Sequence, residues 1–209
     1  KFEFNANVNK IVVEEGKAIA IVINNSRVEA DVILSGADYH HSETLLDDEF
    51  RMYSEKYWDS RVFAPSSLLF YVGFNRKIEN ISHHALFFDV DFDQHARDIY
   101  DEPKWPAEPL FYANFPSITD QSAAPEGMES GFFLIPLAPG IEDTPALREK
   151  YFDKIIDRFE TLTSQKVKNN IIFKESFCKN DFVSDYNSYK GNAYGMANTL
   201  LQTAFLRPK

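Results

Sequence analysis

The chain has 209 residues, with 22 Lys and Arg against 32 Asp and Glu and a formal net charge of −10. A content of 44% hydrophobic and 26% charged residues is ordinary for a globular chain long enough to bury a core. The acidic balance and the dispersal of the basic residues exclude a nucleic-acid partner, which would need clustered Lys and Arg against phosphate.

The first elements read as strands. Phe2 to Val13 alternates loosely through Val8, Ile11, Val12 and Val13. Glu15-Gly16 makes a turn into the strongly apolar Lys17–Ile23, and Asn24-Asn25-Ser26 is turn chemistry before another short strand. Ala30 to Ser35 is an apolar run expected to be a buried strand, ending at Gly36-Ala37-Asp38. Ser42 is placed to cap a helix whose apolar side is Leu45, Leu46 and Phe50. After Pro65, Ser66–Phe74 reads as a strand buried on both faces. His84–Val90 is another strand, Gln94–Tyr100 a short helix, and Pro103, Pro106 and Pro109 mark a loop. Leu110–Phe115 and Gly131–Leu137 are strands on either side of a turn-rich segment.

Thr144-Pro145 opens the clearest helix, with a capping hydroxyl before a first-turn proline. Leu147, Tyr151, Ile155, Phe159 and Leu162 then recur at spacings of three and four. Ile171–Phe177 is strand-like and Asp181–Tyr186 a short helix. Together these predict an α+β fold, with a large mixed, mostly antiparallel sheet and helices on one face.

The familiar chemistry motifs are missing. None of the 8 glycines forms Gly-x-Gly-x-x-Gly, and Gly191 and Gly195 do not make a dinucleotide fingerprint. His40-His41 and His83-His84 are adjacent pairs. On strands their side chains would diverge, so each pair offers one ligand to a common metal, with His95 or Asp89 conceivable as a third. No metal site is assigned. Asp89, Asp91 and Asp93 alternate like calcium ligands but lack the glycine and the later Glu of an EF-hand loop. Cys178 is the only cysteine, so there is no internal disulfide or thiolate cluster, which fits a reducing compartment. It reads as a partly buried structural thiol. No run approaches the length of a spanning helix.

The 19 Phe and 10 Tyr admit two readings: aromatic-rich strands, or the lining of a wide apolar cavity. Phe70, Tyr71, Phe74, Phe87, Phe111, Tyr112, Phe132 and Phe133 are the candidates for such a lining. Strand alternation sends about half of them into the core.

Five blocks in order along the chain resemble one family, the bacterial-type phytoene desaturases. These are flavin-dependent carotenoid desaturases, related to carotenoid isomerases and other amine-oxidase-like flavoproteins. The blocks are Phe4–Ile11, Ala30–Tyr39 with His41–Leu46, Tyr57-Trp58 with Ala64–Gly73, His83–Phe88 with Pro116–Gly127, and Tyr189–Pro208. The resemblance implies that residues 1–38 are strands of a flavin-binding domain, 39–188 a substrate-binding α+β domain, and 189–209 a connection back to the flavin domain. It further implies an internal fragment whose two terminal flavin-binding segments, and the residues for proton handling, lie outside the stretch. The fragment itself is then expected to be inactive and to bind no FAD.

On that resemblance the whole enzyme introduces double bonds into phytoene or a similar long isoprenoid hydrocarbon. It uses FAD and sits in the cytoplasm, peripheral to the inner face of the cytoplasmic membrane. Val8 is carried over as a flavin contact, with Asp38 and Arg207 near the flavin-domain junction. The hydrocarbon tunnel would take the eight aromatics. A carotene isomerase or oxygenase on the same scaffold, and a non-catalytic apolar-ligand-binding module, are the alternatives. Strand edges without neighbours imply a homo-oligomer of the fragment.

Overall fold

The computed structural model describes residues 2–208; Lys1 and Lys209, the outer limits of the first and last expected domains, lie outside the described residues. The chain divides into two compact units. One runs to Phe63 and adds Tyr186–Tyr189 and the segment from Gly195 onward, and the other comprises Ala64–Asp185 and Lys190–Tyr194.

The first unit is built on three antiparallel strands, β1 (Val8–Glu14), β2 (Lys17–Ile23) and β3 (Ser26–Glu29). Both turns place two successive residues at positive φ, Glu15 and Gly16 at 51° and 75°, Asn24 and Asn25 at 48° and 65°. Two-residue turns of this hand match the twist of the strands they join, which is why Gly and Asn recur there. Ile11 and Ala20 are buried, and the Ile11 N–H donates to the Leu45 carbonyl at 2.8 Å. That bond ties the sheet to the end of α1 (Tyr39–Thr44). A short helix α2 (Glu55–Asp59) carries Trp58 into a second cluster with Phe63 and Met196.

Two expectations fail here. Ala30–Ser35 is not a strand: Val32 is 83% and Leu34 94% exposed. Ala30 makes one more bond to the Ile19 carbonyl, at 2.9 Å, and the pairing then stops. An apolar run becomes a strand only where a neighbouring backbone is there to pair with it. The cap of α1 is Asp38, whose carboxylate accepts from the N–H groups of His40 and His41 at 3.0 and 3.3 Å. Ser42 lies inside the helix.

The second unit contains β4 (Ser66–Phe74), β5 (His84–Phe87), α3 (Phe92–Tyr100), β6 (Phe111–Asn114), β7 (Glu129–Leu137), α4 (Pro145–Thr163), β8 (Ile171–Phe177) and most of α5 (Lys179–Tyr186). Its strands order as β5-β6-β7-β4-β8. The α+β class is as expected, and among the described residues all strand pairings of both sheets are antiparallel.

Helix α4 covers one face. Thr144 Oγ accepts from the Leu147 N–H at 3.2 Å, as its position before Pro145 predicts. Tyr151, Phe152, Ile155, Ile156 and Phe159 are buried against Phe70, Phe115 and Phe133, with Phe70–Phe152 centroids 4.8 Å and Phe133–Phe159 5.6 Å apart. Leu162 does not join this stripe and is 47% exposed, because the buried stripe ends a turn before the helix does. In that last turn the buried Glu160 carboxylate accepts from the N–H groups of Val167 and Lys168 at 2.6 and 2.9 Å and from Lys166 Nζ at 2.8 Å. Burial pushes its pKa up, but these donors outweigh burial and hold it at about 2.

His95, Asp89, Asp91 and Cys178, singled out in the sequence, have structural roles. His95 Nε2 donates to the Pro136 carbonyl at 2.9 Å and Nδ1 accepts from the Leu110 N–H at 3.0 Å, so both ring nitrogens are used. Asp89 pairs with Arg158, and Asp91 caps α3 by accepting from the Gln94 N–H at 3.1 Å. Cys178 is fully rather than partly buried, and burial, aided by the Asp143 charge, pushes its thiol up to about 12. Among the described residues no group of three or more His, Cys, Asp or Glu could hold a metal ion.

Candidate apolar binding groove

Alternation sorts the aromatic candidates onto two faces of the second unit's sheet. Phe70, Phe74, Phe87, Phe111 and Phe133 point to the side covered by α4; Phe87 stacks on Phe111 at 4.4 Å and meets Phe159 at 5.7 Å. Tyr71, Tyr112 and Phe132 point to the other side. There Tyr71 is 45% exposed, so β4 is closed on one face and not, as its run of apolar residues predicted, on both.

The strand register lines these residues up. Tyr71 lies opposite Phe132 on β7, Phe132 opposite Asn114 and its neighbour Leu134 opposite Tyr112 on β6, and His84 of β5 opposite Asn114. Ring centroids are 5.4 Å apart for Tyr71–Phe132, 6.3 Å for Tyr112–Phe132 and 6.0 Å for His84–Tyr112. The result is an aromatic row across four strands, spanning about 14 Å at the usual strand spacing.

Beside the row runs a groove of about 560 Å³. Gly73 of β4 and Ser130 of β7 are register partners and form a low floor. Tyr71, Phe132, Phe173, Ala124, Pro125 and Met128 are among the residues that line it. The floor depends on Gly73: an added Cβ would stand 3.2 Å from the Phe173 Cβ. Such a site, mostly apolar with a few polar atoms, is suited to a hydrocarbon ligand. Sequence reasoning identified the aromatic walls but missed Gly73 and Ser130. The signal was present, as two small residues at open-face positions of neighbouring strands.

A polar cluster stands at the β5 end of the aromatic row, and of its members Asn114 also lines the groove. Asn114 Nδ2 donates to the His83 carbonyl at 3.3 Å and to His84 Nδ1 at 3.0 Å, and Tyr112 Oη is 2.5 Å from the same Nδ1. His83 Nδ1 lies 2.6 Å from Thr119 Oγ. The two histidine rings stack at 4.2 Å instead of diverging, because His83 precedes β5 and is not held in the strand's alternation.

The residues linked by resemblance to flavin all belong to the first unit. Val8 lines a separate groove of about 310 Å³ with Ile11, Ile21, Ile33 and Leu45. The Asp38 carboxylate caps α1. Arg207 donates to Asn198 Oδ1, to the Gln202 carbonyl at 3.5 Å and to the Met196 carbonyl at 3.2 Å. The start of α1 is thus capped by its own Asp38, and Arg207 is engaged with its own segment.

No family model matches the chain. Among curated proteins it is 37% identical over 208 residues to a carotenoid 3,4-desaturase of Haloarcula japonica, covering 99% of this chain and 42% of that protein. The chain is a relative of the carotenoid desaturases. Two further relatives act in keeping with this by name. A 4,4'-diapolycopen-4-al dehydrogenase of Metabacillus indicus is 28% identical, over 98% of this chain and 40% of its own length. A 4,4'-diapophytoene desaturase of Staphylococcus haemolyticus is 30% identical, over 100% of this chain and 44% of its own length. The chain thus spans about two fifths of the length of these relatives. Its fold is shared with the crystal structure of an oxidoreductase from Methanosarcina mazei at a TM-score of 0.54 and 13% identity, over 82% of this chain and 36% of that one. Among the described residues no helix is long and apolar enough to cross a membrane.

Proposed function

We propose that this chain is the substrate-holding part of an FAD-dependent desaturase that introduces double bonds into phytoene or a similar long isoprenoid hydrocarbon in carotenoid biosynthesis. The observation that carries this reading is the likeness, over 99% of the chain, to a carotenoid 3,4-desaturase. The apolar groove supports it. A hydrocarbon has almost no polar handle, so affinity must come from buried area, at about 2.5 kcal/mol per 100 Å² of apolar surface. Tyr71, Phe132 and Tyr112 offer apolar ring surface against which a polyene packs, and that packing keeps water away from the chain to be oxidised.

In this reading residues 39–188 are the substrate domain, residues 1–38 contribute strands to a flavin domain, and residues 189–209 lead back to it. The flavin is held by residues outside the stretch, with Val8, Asp38 and Arg207 at the junction. No step of the redox chemistry is assigned to this chain's side chains. The whole protein works at the cytoplasmic face of the membrane where its apolar substrate is dissolved, and copies of the chain self-associate.

The test is to express the protein that carries this chain in a host supplied with phytoene. The expected result is a yellow flavoprotein and a shift of polyene absorbance to longer wavelength. No flavin spectrum and no shift would overturn the reading.

A further inference from the structure

The segment between β6 and β7 is pinned at its two roots. At the first, the Thr119 and Asp120 N–H groups donate to the Pro116 carbonyl at 3.1 and 2.9 Å, and Thr119 Oγ lies 2.6 Å from His83 Nδ1. At the second, the buried Glu129 carboxylate accepts from Ser117 Oγ and, at 3.4 Å, from the Ile78 N–H. Ser117 Oγ in turn accepts from the Ser130 N–H at 3.0 Å, so one buried node joins both roots. Between them the chain is held differently. Among the described residues, the hydrogen bonds of Gln121–Met128 end on Asp120 or inside the segment: Ser122 N–H on the Asp120 carboxylate at 2.9 Å, Ala123 N–H on the Asp120 carbonyl at 3.1 Å, and Met128 N–H on the Pro125 carbonyl at 3.0 Å. A segment bonded to itself and not to the body moves as a unit at low free-energy cost.

It also has space on two flanks. Ala123, Ala124, Pro125 and Met128 line the apolar groove, whereas Gln121, Pro125, Glu126 and Gly127 line a second cavity of about 680 Å³, together with Lys77 and Ser117. Gly127 sits at φ 75°, and a Cβ added there would meet nothing within 4 Å, so this turn is not packed against the body. The groove itself is open, since Tyr71 and Phe173 in its lining are 45% and 53% exposed. A hydrocarbon lying in it keeps one side in water and forfeits the hydrophobic gain of that side. We propose that Gln121–Met128 is a lid that folds over an apolar chain in the groove, pivoting on the Ser117–Glu129 node. Closure turns Ala124, Pro125 and Met128 onto the hydrocarbon. The second cavity widens as the lid leaves it and fills with water, which Lys77, Gln121 and Glu126 in its lining accommodate. This proposal rests on the reading of the groove as a polyene site and goes beyond it in naming the segment that closes the site.

The test is amide hydrogen exchange of the purified chain with lycopene carried in detergent, against detergent alone. A lid that closes slows exchange by about tenfold at all the amides of Gln121–Met128, including Gln121, Glu126 and Gly127, which do not line the groove. Slowing confined to Ala123, Ala124 and Met128 would show a fixed wall, and no slowing with lycopene bound would show a segment that ignores the ligand. Either result overturns the lid and leaves the groove standing. Release of lycopene gives a second readout. Met128→Ser should speed release about tenfold and leave the association rate within about threefold, because a cover acts mainly after entry. Release at the wild-type rate would overturn the lid as well. If lycopene does not bind the wild-type chain, the groove reading falls together with this one.

Discussion

On β7, Phe133 is wholly buried beneath Phe115 and Phe159, while its neighbour Phe132 is half-buried between Tyr71 and Tyr112. The two residues are chemically identical and one position apart, so strand alternation alone separates a core residue from a groove residue. The whole sheet repeats the pattern. On the covered face large rings fill the space completely, and an added Cβ at Gly131 would stand 2.9 Å from the Phe74 ring. On the open face small residues at Gly73 and Ser130 leave room beside the rings. One face is thus packed for stability, and the other keeps apolar surface available to a ligand.

Substitutions can break that contrast. The largest expected effect is Phe133→Ala, which removes a fully buried ring and leaves a cavity; it should lower unfolding free energy by about 3–5 kcal/mol in a denaturant titration. A loss under about 1 kcal/mol would mean that the covered face is loosely packed.

A smaller effect comes from the helix that does the covering. Glu160 is held at about 2 against an ordinary value of 4.5, so it contributes stability that is fully present above about pH 4.5 and is lost as the pH falls toward 2. Glu160→Gln should therefore destabilise the chain at neutral pH by about 1–3 kcal/mol and flatten the acid side of its stability profile. A parallel, undiminished acid limb in the variant would show that other carboxylates dominate.

The smallest change in stability should come from Phe132→Ala, about 1 kcal/mol or less by thermal unfolding, because the ring is only half buried. Its effect on binding should be the reverse, with lycopene affinity reduced about tenfold or more. If Phe132→Ala and Phe133→Ala destabilised the chain equally, the division of the sheet into a structural and a binding face would be lost.

Much of this molecule is legible locally. The two-residue turns at Glu15-Gly16 and Asn24-Asn25, the Thr144 cap and the α4 periodicity depend on neighbours within a few residues, and the structure follows them. Alternation likewise separates Phe70 from Tyr71 and Phe132 from Phe133, since adjacent residues of a strand point to opposite faces. Elsewhere short-range pattern is not enough. Ala30–Ser35 has the composition of a buried strand but, past one bond from Ala30, no strand to pair with, and Leu162 keeps the helical spacing beyond the end of the buried stripe.

The sequence by itself determined the α+β class, the places where the chain turns, and the two alternating sets of aromatic residues. Its likeness to the phytoene desaturases could also be read from five ordered blocks. Only the tertiary structure decided which aromatic set α4 would cover, and only there do Gly73 and Ser130 come side by side as a groove floor. It alone gathers His84, Tyr112 and Asn114 at one end of the aromatic row. The reason is physical: turns, caps and alternation are set by residues close in sequence, whereas a covered face, a groove floor and an oriented imidazole are made by groups that folding brings together from distant parts of the chain.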